Sequence, residues 1–459
     1  MPVLKKDMVP DMNLFTLEFT KNKSKTNELA EAIANDINTN KLKKNDKLPS
    51  KRALANHLGI SLNTVINAYL LLLSEGYIYS IEKKGYFVSD NVLIKNTNHR
   101  LISNKDIKND NYLFSFKTSN IDSTLIPTNT LKKIYNDILK DNNYFYKTDF
   151  SGETSLKEAI CQYLYEVKGI QANIDDVIIS SGIDTLILQI IKLTNANIIA
   201  IENPGYKKIE TIIKYTEKRI VYQNIDNEGI TIPNEAVDLI YTTPYSQFPL
   251  GIKMSNHRKN DLINYAKANK GYIIEDSFDS DFTLKPFITK ALYSMSDSVF
   301  YIESFSRSIS PSFRISFMLL PPKLSTKYKA LHKGFSNPVS TIEQLVLAKY
   351  ISTSFFSHIN RLRVSLRKKR ELIIETLDLS LFDILYDQSY LAIIVRPKYI
   401  PLNIKEILLS NKIDISFIND FMYNGKSDLI MIGYSEIAFD KIKEGIILLN
   451  NIFRRKRDA

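Results

Sequence analysis

Residues 47–78 read KLPSKRALANHLGISLNTVINAYLLLLSEGYI. Ser50 follows Pro49 and opens KRALANHL, which Gly59 closes. Serine is a preferred N-cap, and glycine supplies the left-handed turn that ends a helix. Ser61 opens a second helix, LNTVINAYLLLLS, which ends near Gly76. Upstream, Ser24–Thr39 carries Leu29, Ile33 and Ile37 at four-residue spacing, the mark of an apolar helix face. Downstream, IYSIEKKGYFV reads as two strands around a Lys83-Lys84-Gly85 turn.

Helix, short glycine turn, helix and hairpin is the order of a winged helix-turn-helix (α+β), here over residues 12–90. Its second helix presents Asn63, Thr64 and Asn67 near the N-terminus, where a recognition helix meets base edges. Ser50, Lys51, Arg52, Ser61, Lys84 and Gly85 complete the candidate DNA-contacting set, the cations as phosphate contacts. Residues 41–52 hold six Lys/Arg against one Asp. The plainer alternative is a solvated helical bundle with its lysines outside.

The whole 459-residue chain carries a formal net charge of +11, which suits a polyanion but also matches a simple Lys/Asn bias. Hydrophobic residues make up 44%, enough for a sizeable core. A single cysteine, Cys161, excludes an internal disulfide, and it lies in an apolar helical pattern. Five scattered histidines give no zinc-ligand spacing. No run approaches the length of a membrane span, and the N-terminus has no apolar leader, so the expectation is a cytoplasmic protein with no membrane partner.

Residues 91–112 are Asn/Lys/Asp-rich, the composition of a linker. From residue 113 to 459, strands such as DVIIS, NIIAIE, DLIYTT, GYIIED and SVFYIES alternate with helical stretches. That alternation predicts an α/β body with a mainly parallel sheet. One long helix is expected from HKGFSNPVS to RELIIETL, then a smaller α+β subdomain from about 350 to 459, with strands near Leu391–Val395 and Leu429–Ile432.

The head, with Leu48-Pro49-Ser50, Arg52, Leu54-Ala55, Thr64-Val65 and Gly85, resembles the GntR-type DNA-binding domain. Leu62 and Asn67 stand where that family usually has arginines. The body's motifs, in order, resemble the fold-type I aminotransferase domain of MocR-type regulators, which join such a head to such a body. They are Tyr146…Gly152…Leu156-Lys157, Ser180-Ser181-Gly182, Glu202–Tyr206, Thr243–Gly251, Glu275–Asp279, Ser304–Pro311 with Arg314, and His358–Arg363 with Arg370. The resemblance implies a DNA-binding transcription regulator, a homodimer, double-stranded operator DNA as partner, and a pocket for pyridoxal phosphate.

That pocket departs from the family pattern. Its expected residues are Gly182, Ile183, Asp184, Tyr206, Asp276, Phe278, Ser304, Ser306, Arg307 and Arg314. Arg307 stands where the family has the lysine that condenses with the cofactor, and a guanidinium keeps its proton. Phe278 replaces a tyrosine, Asp184 puts a carboxylate in the phosphate-binding turn, Ser246 replaces a histidine, and Met431 replaces a substrate-binding arginine. The reading is a regulator without catalytic residues or a covalent cofactor. Pyridoxal phosphate is admitted only non-covalently, and a small anionic effector is a candidate partner. Asp276 is expected to face a ring nitrogen or to pair with Arg307 or Arg314. The alternatives are a regulator that retains pyridoxal phosphate, an enzyme using another lysine, such as Lys253, Lys285 or Lys290, and a ligand-free dimerisation scaffold.

Overall fold

The computed structural model describes residues 17, 19, 24–90, 112–118, 120–144, 146–277, 279–282, 290–387, 389 and 391–457. Phe278, Lys285 and nearly all of the linker segment lie outside the described residues. The chain divides into two compact units, Met1–Lys108 and Asn109–Ala459.

In the first unit, α1 (Lys25–Asn38), α2 (Lys51–Leu58) and α3 (Leu62–Ser74) precede the hairpin of β1 (Ile78–Ile81) and β2 (Gly85–Val88). The capping expected from the sequence is present. Ser50 Oγ accepts from Ala53 N at 3.2 Å, Gly59 takes φ +62°, and Ser61 Oγ accepts from Thr64 N at 3.1 Å. Leu29, Ile33 and Ile37 of α1 pack with Leu54 of α2, with Val65, Tyr69 and Leu72 of α3, and with Val88. Burying each aliphatic side chain of this kind contributes about 1.5–3 kcal/mol. Tyr69 adds a polar tether: its buried hydroxyl donates to Pro49 O at 2.9 Å and fixes α3 against the entry to α2.

In the second unit, β3 (Phe114–Phe116), α4 (Thr128–Leu139) and α5 (Thr154–Lys168) come first. Then follow β4 (Val177–Ser180), α6 (Ile183–Thr194), β5 (Ile198–Asn203), α7 (Lys207–Tyr215), β6 (Arg219–Asp226), β7 (Gly229–Ile230) and β8 (Leu239–Thr242). Next are α8 (Asn256–Ala268), β9 (Tyr272–Asp276), β10 (Val299–Ser304), β11 (Ser316–Leu319) and α9 (Pro322–His332). Among the described residues the main sheet has eight strands in the order β4-β11-β10-β9-β8-β5-β6-β7. β6, β5, β8, β9 and β10 are parallel neighbours; β11 runs antiparallel to both β10 and β4. The ends of β4, β9 and β10 therefore open on the same edge, where ligands of open α/β sheets bind.

The expected long helix is two helices, α10 (Thr341–Thr353) and α11 (Phe355–Thr376). Ser354 leaves helical geometry with φ −137°, and HKGFSNPVS lies outside them because Gly334 at φ +98° and Pro338 do not continue a helix. The chain closes with β12 (Phe382–Tyr386), β13 (Ala392–Pro397), α12 (Ile404–Ser410), β14 (Ile413–Phe417), β15 (Ile430–Gly433) and α13 (Phe439–Arg457). Their sheet has the order β12-β13-β15-β14-β3. Its edge strand β3 comes from the start of the unit and pairs in parallel with β14, Phe114 opposite Ile413. A small subdomain confined to residues after 350 omits this strand. No helix among the described residues is long and apolar enough to cross a membrane.

Candidate DNA-recognition surface and body pocket

On the head, Arg52, Asn63, Asn67 and Lys84 are exposed and Thr64 is half-buried. Ser50, Ser61 and Thr64, all candidates from sequence, spend their side chains on helix ends; Ser61 Oγ and Thr64 Oγ1 are 2.8 Å apart. Lys51 Nζ sits 4.8 Å from the centre of the Tyr86 ring. At the hairpin tip Lys83 takes φ +64° and Gly85 φ +111°, a turn that leaves both lysines exposed. Asn63 and Asn67, four apart, share one face of α3, and Val65, Ala68, Tyr69 and Leu72 share the opposite, buried one.

In the body, a cavity of about 310 Å³ opens at the ends of β4, β9 and β10. It gathers Gly182, Ile183, Asp184, Tyr206, Asp276, Ser304, Ser306, Arg307 and Arg314, every pocket candidate that falls among the described residues. Met431 also lines it, with Thr118 and Ser416 from the second sheet's end of the unit.

Two ends of this cavity differ. At the start of α6, Gly182 adopts φ +124°, a backbone conformation that favours glycine, and Arg314 Nη2 lies against its open side. Asp184 projects into the same place, 2.5 Å from Lys208 Nζ and 3.7 Å from Arg314 Nη2. The chain thus supplies its own anion between a helix N-terminus and two cations. Ser306 Oγ donates to Phe313 O at 2.9 Å and shapes the loop beside it.

The other end is acidic. Arg307 Nη1 lies 3.3 Å from Asp279 Oδ1. Asp279 has φ +57°, a left-handed turn that Asp tolerates better than most residues and that aims it at Arg307. Burial pushes the Asp279 carboxyl up to about 6, opposed by Arg307. Asp276 pairs with neither Arg307 nor Arg314 but accepts from Tyr241 Oη at 2.5 Å. Burial raises its carboxyl to about 7 against that hydrogen bond, with Glu202 adding repulsion.

Beneath the cavity lies a network that the sequence reading missed. Lys168 Nζ stands 2.7 Å from Glu303 Oε1 and 3.3 Å from Asp281 Oδ1, and donates to Ser280 Oγ at 2.6 Å. Tyr301 Oη lies 2.5 Å from Glu303 Oε2, and Tyr163 Oη lies 2.9 Å from Glu303 Oε1. Burial raises the Glu303 carboxyl, and Lys168 opposes it. The signal was present: Leu156, Ile160, Leu164 and Lys168 form one four-step row on α5, so Lys168 falls in the buried stripe.

The basic stretch His358–Arg370 on α11 likewise turns inward in part. His358 Nε2 is 2.8 Å from Ser308 O, Arg363 Nε donates to Asp281 O at 2.6 Å, and Lys369 Nζ pairs with Asp122 Oδ2 at 2.8 Å, fully buried. It is neither a solvated face throughout nor a row of free cations. The two loop motifs Glu202–Tyr206 and Thr243–Gly251 are tied together by Glu202, which accepts from Thr242 Oγ1, Thr243 N and Thr243 Oγ1 at 2.7, 2.8 and 2.7 Å.

Residues 25–88 match the bacterial regulatory proteins of the gntR family, and residues 118–397 match aminotransferase class I and II. The chain is 31% identical over 431 residues to the uncharacterized HTH-type transcriptional regulator YdeL of Bacillus subtilis, covering 90% of this chain and 93% of that one. This chain belongs to the MocR-type family of HTH transcriptional regulators. Among MocR-type relatives, the probable rhizopine catabolism regulatory protein MocR of Rhizobium meliloti is 26% identical, with 73% of each chain covered. The HTH-type pyridoxine biosynthesis regulator PdxR of Corynebacterium glutamicum is 23% identical, covering 76% of this chain and 78% of that one. The body has the fold of aminotransferases: an archaeal alanine:glyoxylate aminotransferase superposes with a TM-score of 0.66 at 19% identity, over 75% of this chain and 91% of that one. The MocR-type body is thus a class I and II aminotransferase fold on a DNA-binding regulator.

Proposed function

We propose that this regulator binds operator DNA through α2, α3 and the hairpin, and that its body dimerises and senses a small ligand without transamination. The observation that carries the reading is Arg307 in the cavity, its guanidinium 3.3 Å from Asp279. A guanidinium has no free amine lone pair to condense with an aldehyde, and no readily lost proton to return to a substrate carbon.

Pyridoxal phosphate, the cofactor of this fold, does not fit as a covalently held group. Besides Arg307, the cup that would receive its phosphate already holds Asp184 between Lys208 and Arg314. Met431 in the wall offers no ion pair to a carboxylate. What remains is a bipolar, non-covalent site. Lys208 and Arg314 suit an anionic group that competes with Asp184, and Asp276 suits a hydrogen-bond donor. Control of DNA binding follows if the ligand prefers one of two arrangements of the dimer.

The test is optical. Purified protein is incubated with pyridoxal phosphate, desalted and scanned before and after borohydride. The expected result is no retained chromophore. A retained band that borohydride removes overturns the reading of Arg307.

A further inference from the structure

The outward face of α3 carries no charge. No Lys, Arg, His, Asp or Glu occurs between Leu62 and Ser74. Leu62, Asn63, Asn67 and Leu70 are exposed, and Ile66 is half-buried between them. The four bases ask for different partners in the major groove. Guanine is read best by arginine or lysine, and the cytosine amino group by a carboxylate. Adenine takes a bidentate amide, and the thymine methyl takes an apolar side chain. Of these readers α3 holds only the last two.

We propose that the head reads A·T base pairs, with Asn63 and Asn67 on adenines and Leu62 on the C5-methyl of thymine. This rests on α3 being the helix that enters the major groove. Asn63 and Asn67 lie about 6 Å apart along the helix axis, within reach of neighbouring base-pair steps. Leu62 stands beside Asn63 in the first turn, the part of a recognition helix that meets base edges. Its side chain is 38% exposed and has no place in the core formed by Val65, Tyr69 and Leu72. A methyl group in the groove is a surface against which it can be buried. The hairpin agrees: the exposed Lys83 and Lys84 suit the narrow, strongly negative minor groove of A·T tracts.

The experiment uses the full-length chain. Duplexes are selected from a random-sequence pool, and each A·T pair of the selected half-site is replaced in turn by G·C and by adenine–deoxyuridine, which removes only the thymine methyl. The selected core is expected to be A·T, with G·C replacement at an asparagine-read pair weakening binding about tenfold. Deoxyuridine at one position should weaken parent binding about fourfold. That sensitivity should disappear in Leu62→Ala, whose unchanged melting curve shows an intact fold. A core of contacted G·C pairs overturns the proposal. So does a deoxyuridine penalty equal in parent and Leu62→Ala, or none in either. If Asn63→Ala and Asn67→Ala bind every selected duplex like the parent while Arg52→Ala does not, α3 is not the reading helix, and both assignments fall together.

Discussion

The head and the body treat charge in opposite ways. On the head, Arg52, Lys83 and Lys84 are exposed, available to a partner and screened by salt. In the body, Lys168 and Lys369 are buried and matched by Glu303, Asp281 and Asp122. An exposed charge acts at a distance and contributes little to folding. A buried one cannot reach a partner molecule and is costly to leave alone. Lysine is therefore a ligand contact where it stays accessible, as at the hairpin tip of the head, and an internal strut where it is buried, as at Lys168 and Lys369.

The largest effect expected from breaking this contrast is in the body. Lys369→Met leaves Asp122 buried without its cation and should cost about 3–5 kcal/mol in urea unfolding, while Lys369→Met/Asp122→Leu should recover much of it. A single variant as stable as the parent would remove Lys369 from the list of struts.

Next comes Asp276. Its carboxyl titrates near 7 in the fold and in the ordinary carboxylate range when unfolded. Between those values only the folded state keeps the proton, so this group's contribution falls as pH rises through about 7. Asp276→Asn removes the loss. Melting curves at about pH 5 and about pH 8 should show the variant gaining on the parent at the higher pH, by on the order of 3 kcal/mol. Equal pH profiles would sink the assignment.

On the head the effects are smaller and lie in binding. Arg52→Ala should weaken DNA binding about tenfold across sequences and reduce the slope of log affinity against log salt by about 1. Smallest of all, Lys84→Ala should change folding stability by less than about 0.5 kcal/mol, which thermal melting can check.

The contrast also explains what the sequence made legible. Ser50, Gly59 and Ser61 mark helix ends by chemistry local to a few residues, so the head could be read directly. The pocket candidates converge because they sit at or just beyond the ends of parallel strands, or, for Arg314, just before antiparallel β11, and all these termini meet at one edge. Partners across the fold were harder. For Asp276 the sequence left open a ring nitrogen or an ion pair with Arg307 or Arg314; in the fold Asp279, aimed by a left-handed turn, takes Arg307, and Tyr241 takes Asp276. Lys168 and Lys369 look like surface lysines until their place in an apolar row is counted. The split between α10 and α11 rests on a single residue, Ser354, with no glycine or proline to announce it. Strand β3 could not be assigned to its sheet, because its partner lies nearly 300 residues later.

That last pairing bears on how the protein is made. The described core residues of the head end at Val88, so they can pack together once that part of the chain has left the ribosome. The small sheet cannot take its edge strand until Ile413 has been synthesised, so Phe114 and Phe116 must wait through most of translation. A nascent chain stalled between those points would display a finished DNA-binding head on a body still lacking that sheet.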